Sequence, residues 1–128
     1  MRLGSNDNQK KRGIGIRYAW NGLVEVLKTE RNFQIHTVTA IIIIGVSFLL
    51  QLNVVEWAII LFSIGFVFVA EMTNTAIERI IDYVKPDIHP IAKAIKDIAA
   101  GSVLVAALIA VIIGFIIFLP KLYRLFMI

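Results

Sequence analysis

Three long stretches of the chain, residues 32–55, 57–70 and 98–120, contain no Asp, Glu, Lys or Arg. No other feature restricts the fold as much, because crossing the hydrocarbon core of a bilayer takes about 20 apolar residues. The first and third stretches are that long. The middle one has 14 residues and is long enough only if its helix continues through Glu71. The chain of 128 residues is 59% hydrophobic, above the soluble share of about half. It is therefore read as an all-α integral membrane protein with three transmembrane helices. One domain, residues 10–128, follows a polar stretch, 1–9, expected to be disordered. The absence of cysteine excludes disulfides, thiolate metal sites and lipidated cysteines. No cleavable signal is expected, since no small-x-small pattern follows the first apolar run.

The charges give the expected orientation. Arg2, Lys10, Lys11, Arg12, Arg17, Lys28 and Arg31 precede the first span, whereas the loop 51–56 carries no Lys or Arg. Arg79, Lys85, Lys93 and Lys96 surround the second connection. The positive-inside rule then puts the N-terminus and the second connection in the cytoplasm and the C-terminus outside. Topology accounts for most of these charges, and no basic patch interleaved with aromatics suggests a nucleic-acid partner. Within 14–29, Ile16, Ala19, Trp20, Leu23, Val24 and Leu27 recur at helical spacing, as in an amphipathic helix lying on the membrane. A helix facing a soluble partner is the competing reading. The spans are expected at 32–50, 55–84 and 91–118. Lys85-Pro86 closes the second, His89-Pro90 opens the third, and Leu119-Pro120 ends it.

Into the second span the sequence places Glu71, Asn74, Thr75, Glu78 and Asp82. At about 100° per residue the three acids fall within about 40° of one another. Glu71 lies about 21 Å along the helix from Trp57, a plausible anchor at the outer interface, and Glu78 about 10 Å further. One face thus steps from lipid depth towards water carrying acid, amide, hydroxyl, acid and acid. An intramembrane carboxylate is costly and marks function by default. Asn74 and Thr75 could instead bond neighbouring helices, and Asp82 could be an ordinary solvated residue. For Glu71 the adjacent apolar stretches offer no cationic partner. Glu30, Lys96 and Asp97 fall at the same boundary as Glu78. That set suits a divalent cation and an anionic substrate, although neither GxxxxGK[ST] nor GxGxxG is present. A proton-coupled transporter would account for Glu71 alone, and a helical scaffold would need none of these groups.

The stretches "AEMTNTAIERIIDYV", "HPIAKAIKDIAAGSVLVA" and "TERNF" resemble the prokaryotic diacylglycerol kinase family of small trimeric membrane lipid kinases. The resemblance spans nearly all of the chain after its first ten residues. "NTAIE", "HPIAKAIKDIAAG" and "FLPKL" resemble its undecaprenol kinase branch. The resemblance implies transfer of phosphate from ATP to a lipid alcohol at the cytoplasmic membrane face of a bacterium. It implies a homotrimer, with undecaprenol as the acceptor or, alternatively, diacylglycerol. By position it makes Glu71 the catalytic base with Asn74 beside it, and Glu30 and Glu78 the Mg²⁺ ligands. Lys11, Tyr18, Asp87, Ile88, His89, Lys96 and Asp97 match nucleotide-contacting positions.

Overall fold

The computed structural model describes the backbone of residues 5–127 and the side chains of residues 15–127. The described residues form four helices: α1 (Ser5–Thr29), α2 (Arg31–Leu49), α3 (Val54–Val84) and α4 (Pro90–Phe126). The last three are long and apolar enough to cross a membrane. At 1.5 Å per residue α2 spans about 28 Å, close to the hydrocarbon thickness, while α3 at about 46 Å and α4 at about 55 Å overshoot it. The helix carrying Glu71 therefore runs unbroken through Glu78 and Asp82 into the boundary region, as the sequence required. α1 begins at Ser5, inside the stretch expected to be disordered; Gln, Lys and Arg are good helix formers.

Local chemistry sets the helix ends. Between α1 and α2 only Glu30 leaves the helical region (φ −104, ψ 111), and Gln34 Nε2 donates to the Leu27 and Lys28 carbonyls at 2.9 and 3.4 Å. The result is an elbow with few unpaired groups. α2 ends with Gln51 in the left-handed region (φ 54). There Leu52 N–H donates to Ser47 O (3.3 Å) and Gln51 N–H to Phe48 O (3.2 Å), the paired closure of a Schellman motif. α3 starts in a capping box: Asn53 Oδ1 accepts from Glu56 N–H (2.8 Å) and Glu56 Oε1 accepts from Asn53 N–H (3.0 Å). His89 Nδ1 accepts from Ile91 N–H (3.2 Å) at the start of α4, with Pro90 in its first turn.

The third span differs from expectation at its end. Pro120 lies inside α4, which continues to Phe126. A proline removes one donor from the ladder, but a single lost bond is tolerable when neighbouring groups hold the last turns. Here Lys121 Nζ reaches Glu56 Oε1 at 3.1 Å and ties the end of α4 to the start of α3. At the same end Leu52, Ile60, Ile117 and Phe118 form the core cluster, with Trp57 packed against it. The Phe48 and Trp57 rings lie 4.7 Å apart.

α3 and α4 make the closest seam. On α4 the residues buried along it are Ala92, Ala99 and Ala106, seven apart, and small residues at this spacing let two backbones approach. By contrast, only 17%, 22% and 17% of the most apolar windows of α2, α3 and α4 are buried within the chain, so most of their surface is left for lipid or other chains. An Ala99→Leu substitution is expected to overpack the seam and destabilise the fold by about 1–3 kcal/mol. The midpoint of unfolding in mixed detergent checks this; an unchanged midpoint would mean the helices separate freely at that level.

Candidate active site

The buried residues of α3 are Ile60, Ser63, Val67, Glu71, Asn74 and Thr75, a three-and-four spacing that marks one face. Glu71 is 4% exposed and Asn74 8%; further along, Glu78 is half-buried and Asp82 exposed. The acidic stripe legible in the sequence thus runs from the interior to the open end of the helix. Asn74 Nδ2 donates to Glu78 Oε1 at 3.5 Å, the outer limit of a hydrogen bond. Asn74 Oδ1 is buried without a partner.

A residue passed over in the sequence supplies what Glu71 lacked. His36, on α2, places Nε2 3.1 Å from Glu71 Oε1, with the imidazole 27% and the carboxylate 5% exposed. The absence of Lys and Arg from the apolar stretches hid this partner, yet His36 is the one ionisable side chain in residues 32–55. One turn away on each helix, the Phe33 and Phe68 rings pack at 5.1 Å. His36 also borders an apolar groove of about 490 Å³ between α2, α3 and α4.

At the elbow, Glu30 faces α3. Arg79 Nη2 donates to Thr29 Oγ1 at 2.8 Å and to Glu30 Oε1 at 3.2 Å, while Nη1 donates to Glu25 Oε1 at 3.3 Å. One guanidinium fork therefore ties the end of α1 and the start of α2 to the turn of α3 that carries Glu78. Its planar geometry suits several acceptors at once.

The α3–α4 connection closes over a cavity of about 270 Å³. Asp87, Ile88, His89, Lys96 and Asp97 all line it, with Lys85 and Lys93. These are five of the positions picked out in the sequence. Asp87 and Ile88 are exposed and His89 half-buried. Lys96 pairs with Asp82 rather than Glu78, and Lys93 pairs with Asp97 at 2.6 Å. Glu30 and Glu78 stand outside this cavity at the same end of the bundle. The convergence of acids read from the sequence is thus resolved into three neighbouring parts: the Glu71–His36 pair, the elbow and the loop cavity. Tyr18 is exposed on α1 and does not line the cavity, and the Lys11 side chain lies outside the described residues.

Among the described residues no three His, Asp or Glu side chains gather around one point. Mg²⁺, the ion the resemblance implies, needs only one or two carboxylates, since phosphate and water oxygens complete its shell. Glu30 and Glu78 offer hard oxygen donors, and both residues are half-buried rather than enclosed.

Residues 17–118 match the sequence profile of the family described as prokaryotic diacylglycerol kinase. The chain belongs to the prokaryotic diacylglycerol kinase family. It is 49% identical to the undecaprenol kinase of Bacillus subtilis over 105 residues, 82% of this chain and 85% of that one. It is 41% identical to a diacylglycerol kinase of Synechocystis over 113 residues, 88% of this chain and 65% of that one. Against the diacylglycerol kinase of Escherichia coli K12 identity falls to 26% over 95 residues, 74% and 78% of the two chains. The family and these relatives are lipid kinases, as the motifs around Glu71 and Lys96 implied.

In this member of the family the elbow makes a testable demand on Arg79. Because the chain has no cysteine, spin labels can be placed at Leu23→Cys on α1 and Tyr83→Cys on α3, in protein diluted with unlabelled chains. Arg79→Ala is expected to broaden the distance distribution between them, and Arg79→Lys to broaden it less. An unchanged distribution in Arg79→Ala would mean that α1 is held by other contacts.

Proposed function

We propose that the protein transfers the γ-phosphate of ATP to the hydroxyl of a membrane lipid alcohol, with undecaprenol as acceptor and undecaprenyl phosphate as product. The observation that carries this reading is the buried carboxylate of Glu71, beside an apolar groove and on the same helix face as Glu78. A water-soluble acceptor would need no base at that depth. The branch of the family is supported by the 49% identity to an undecaprenol kinase.

In this reading Glu71 takes the proton of the lipid hydroxyl, and Asn74, with an unpartnered buried oxygen, orients the reacting group beside it. Phosphoryl transfer depends mainly on positioning and charge neutralisation. The lysine-rich cavity of the α3–α4 connection, with Asp87, Ile88, His89, Lys96 and Asp97, receives the nucleotide, and Tyr18 and Lys11 are assigned to nucleotide contact by their match to the family's positions alone. Glu30 and Glu78 would hold Mg²⁺, which when bound would supply charge neutralisation for the phosphate oxygens. Arg79 keeps Glu30 turned towards α3. The elbow end lies in the bacterial cytoplasm and α1 rests on the inner leaflet, where its Arg17 and Lys28 meet anionic headgroups. The C-terminus faces outside. A homotrimer covers the apolar faces that one chain leaves open and brings the parts of each site together at subunit junctions.

Diacylglycerol is the second acceptor considered, because relatives of that name also match over most of the chain. The deciding experiment offers purified protein Mg-ATP with equimolar undecaprenol and diacylglycerol in mixed micelles and resolves the products. Preferential labelling of the polyprenol is expected. Glu71→Gln should lower all lipid labelling by about 10²–10⁴-fold while leaving nucleotide binding largely intact. Preference for diacylglycerol would reassign the acceptor, and labelling of neither lipid, or full activity in Glu71→Gln, would remove the mechanism.

A further inference from the structure

The Glu71–His36 pair has a direction. The imidazole borders the groove between α2, α3 and α4, together with Thr39, Ser63, Val67 and Phe68, whereas the Glu71 side chain does not line it. With 27% of the imidazole exposed against 5% of the carboxylate, His36 is the more accessible member of the pair and the one that borders the groove. Its Nε2 engages Oε1 of Glu71, which leaves Oε2 as the oxygen without an ion-pair partner. A plain structural pair would explain the proximity, since a buried acid needs a partner. It would not require the imidazole to be the part that faces the groove.

We propose that His36 is a positioning residue for Glu71, holding one carboxylate oxygen so that the other meets a hydroxyl arriving along the groove. The proposal rests on the reaction assigned above. In that reaction the alcohol O–H bond breaks and its proton goes to Glu71 Oε2. The alcohol oxygen bonds to the γ-phosphorus, the bond from that phosphorus to the β–γ bridging oxygen breaks, and ADP leaves with the electron pair. His36 neither gains nor loses a proton in this step. It fixes the position and facing of the base, the kind of alignment whose loss by about 1 Å costs roughly 10²-fold in rate. The nucleotide cavity lies at the α3–α4 connection and shares no lining residue with the groove, so the loss should fall on turnover and not on ATP use.

The test compares His36→Ala and His36→Gln in the full-length protein. His36→Ala is expected to lower kcat by roughly 10²-fold with little change in KM for ATP, and His36→Gln, whose side-chain amide can occupy the place of Nε2, to recover about tenfold of that loss. Wild-type kcat in His36→Ala would overturn the proposal. So would a loss that Gln does not relieve, because the imidazole would then be needed for its own proton chemistry. A second readout does not depend on activity. The chain has two histidines, His36 and His89, so ¹⁵N-histidine labelling gives two imidazoles to follow. On Glu71→Gln the ring nitrogens of His36 should shift and those of His89 should not; an unmoved His36 would overturn the pairing. Wild-type protein that phosphorylates no lipid alcohol would remove the assigned reaction, and the His36 shift would still decide whether the imidazole holds Glu71.

Discussion

The approach of His36 to Glu71, 3.1 Å between a ring nitrogen and a carboxylate oxygen, is the contact on which the rest of the site depends. A carboxylate only 5% exposed is largely cut off from solvent, and an uncompensated charge at that depth costs several kcal/mol. The partner must come from another helix, because the face of α3 around Glu71 carries only Asn74 and Thr75. α2 supplies it, and α2 can do so only if the elbow at Glu30 sets its angle against α3. The Arg79 contacts at the elbow and the His36 contact deeper down therefore fix the same pair of helices at two levels.

This arrangement separates two solvents. The elbow and the α3–α4 connection bring lysines, acids and a small cavity to one end of the bundle, where a charged nucleotide and a hydrated cation can remain in contact with water. Glu71, the proposed base, lies further in, beside a groove that is almost wholly apolar. A lipid hydroxyl is tethered to chains that cannot leave the membrane, so in this reading the reaction is completed by a base placed at the hydroxyl's depth. The length of α3 makes that possible, because one continuous helix carries Glu71 in the dry part and Glu78 two turns nearer the boundary.

Much of this was legible in the sequence. Three uncharged stretches, two prolines at the second connection and the acidic stripe of α3 gave the helices, their order and the buried face. The seven-residue alanine spacing on α4 follows the same logic and becomes meaningful once α3 is seen against it. Three features were not legible, for different reasons. His36 was hidden because an apolar stretch is marked by its lack of Asp, Glu, Lys and Arg, and a histidine can sit in such a stretch without interrupting it. Pro120 misled because the cost of a missing donor is local, while the Lys121–Glu56 tie that lets α4 continue comes from residues far apart in the chain. The ion-pair partners at the boundary depended on tertiary geometry: Lys96 turns to Asp82, and Arg79, which the sequence suggested only as a topology marker, holds Glu30.

The central claim is that the acceptor hydroxyl is presented at the depth of Glu71, and it can be measured directly. A short polyprenol carrying a photoreactive diazirine on the carbon next to its hydroxyl would be bound to the protein in bilayers, with a nonhydrolysable ATP analogue and Mg²⁺, and irradiated. Labelled residues would then be mapped by mass spectrometry. Labelling centred on His36, Val67, Phe68 and Glu71 is the expected result. Labelling confined to the α3–α4 connection, or to the end of the bundle around Trp57 and Lys121, would contradict it.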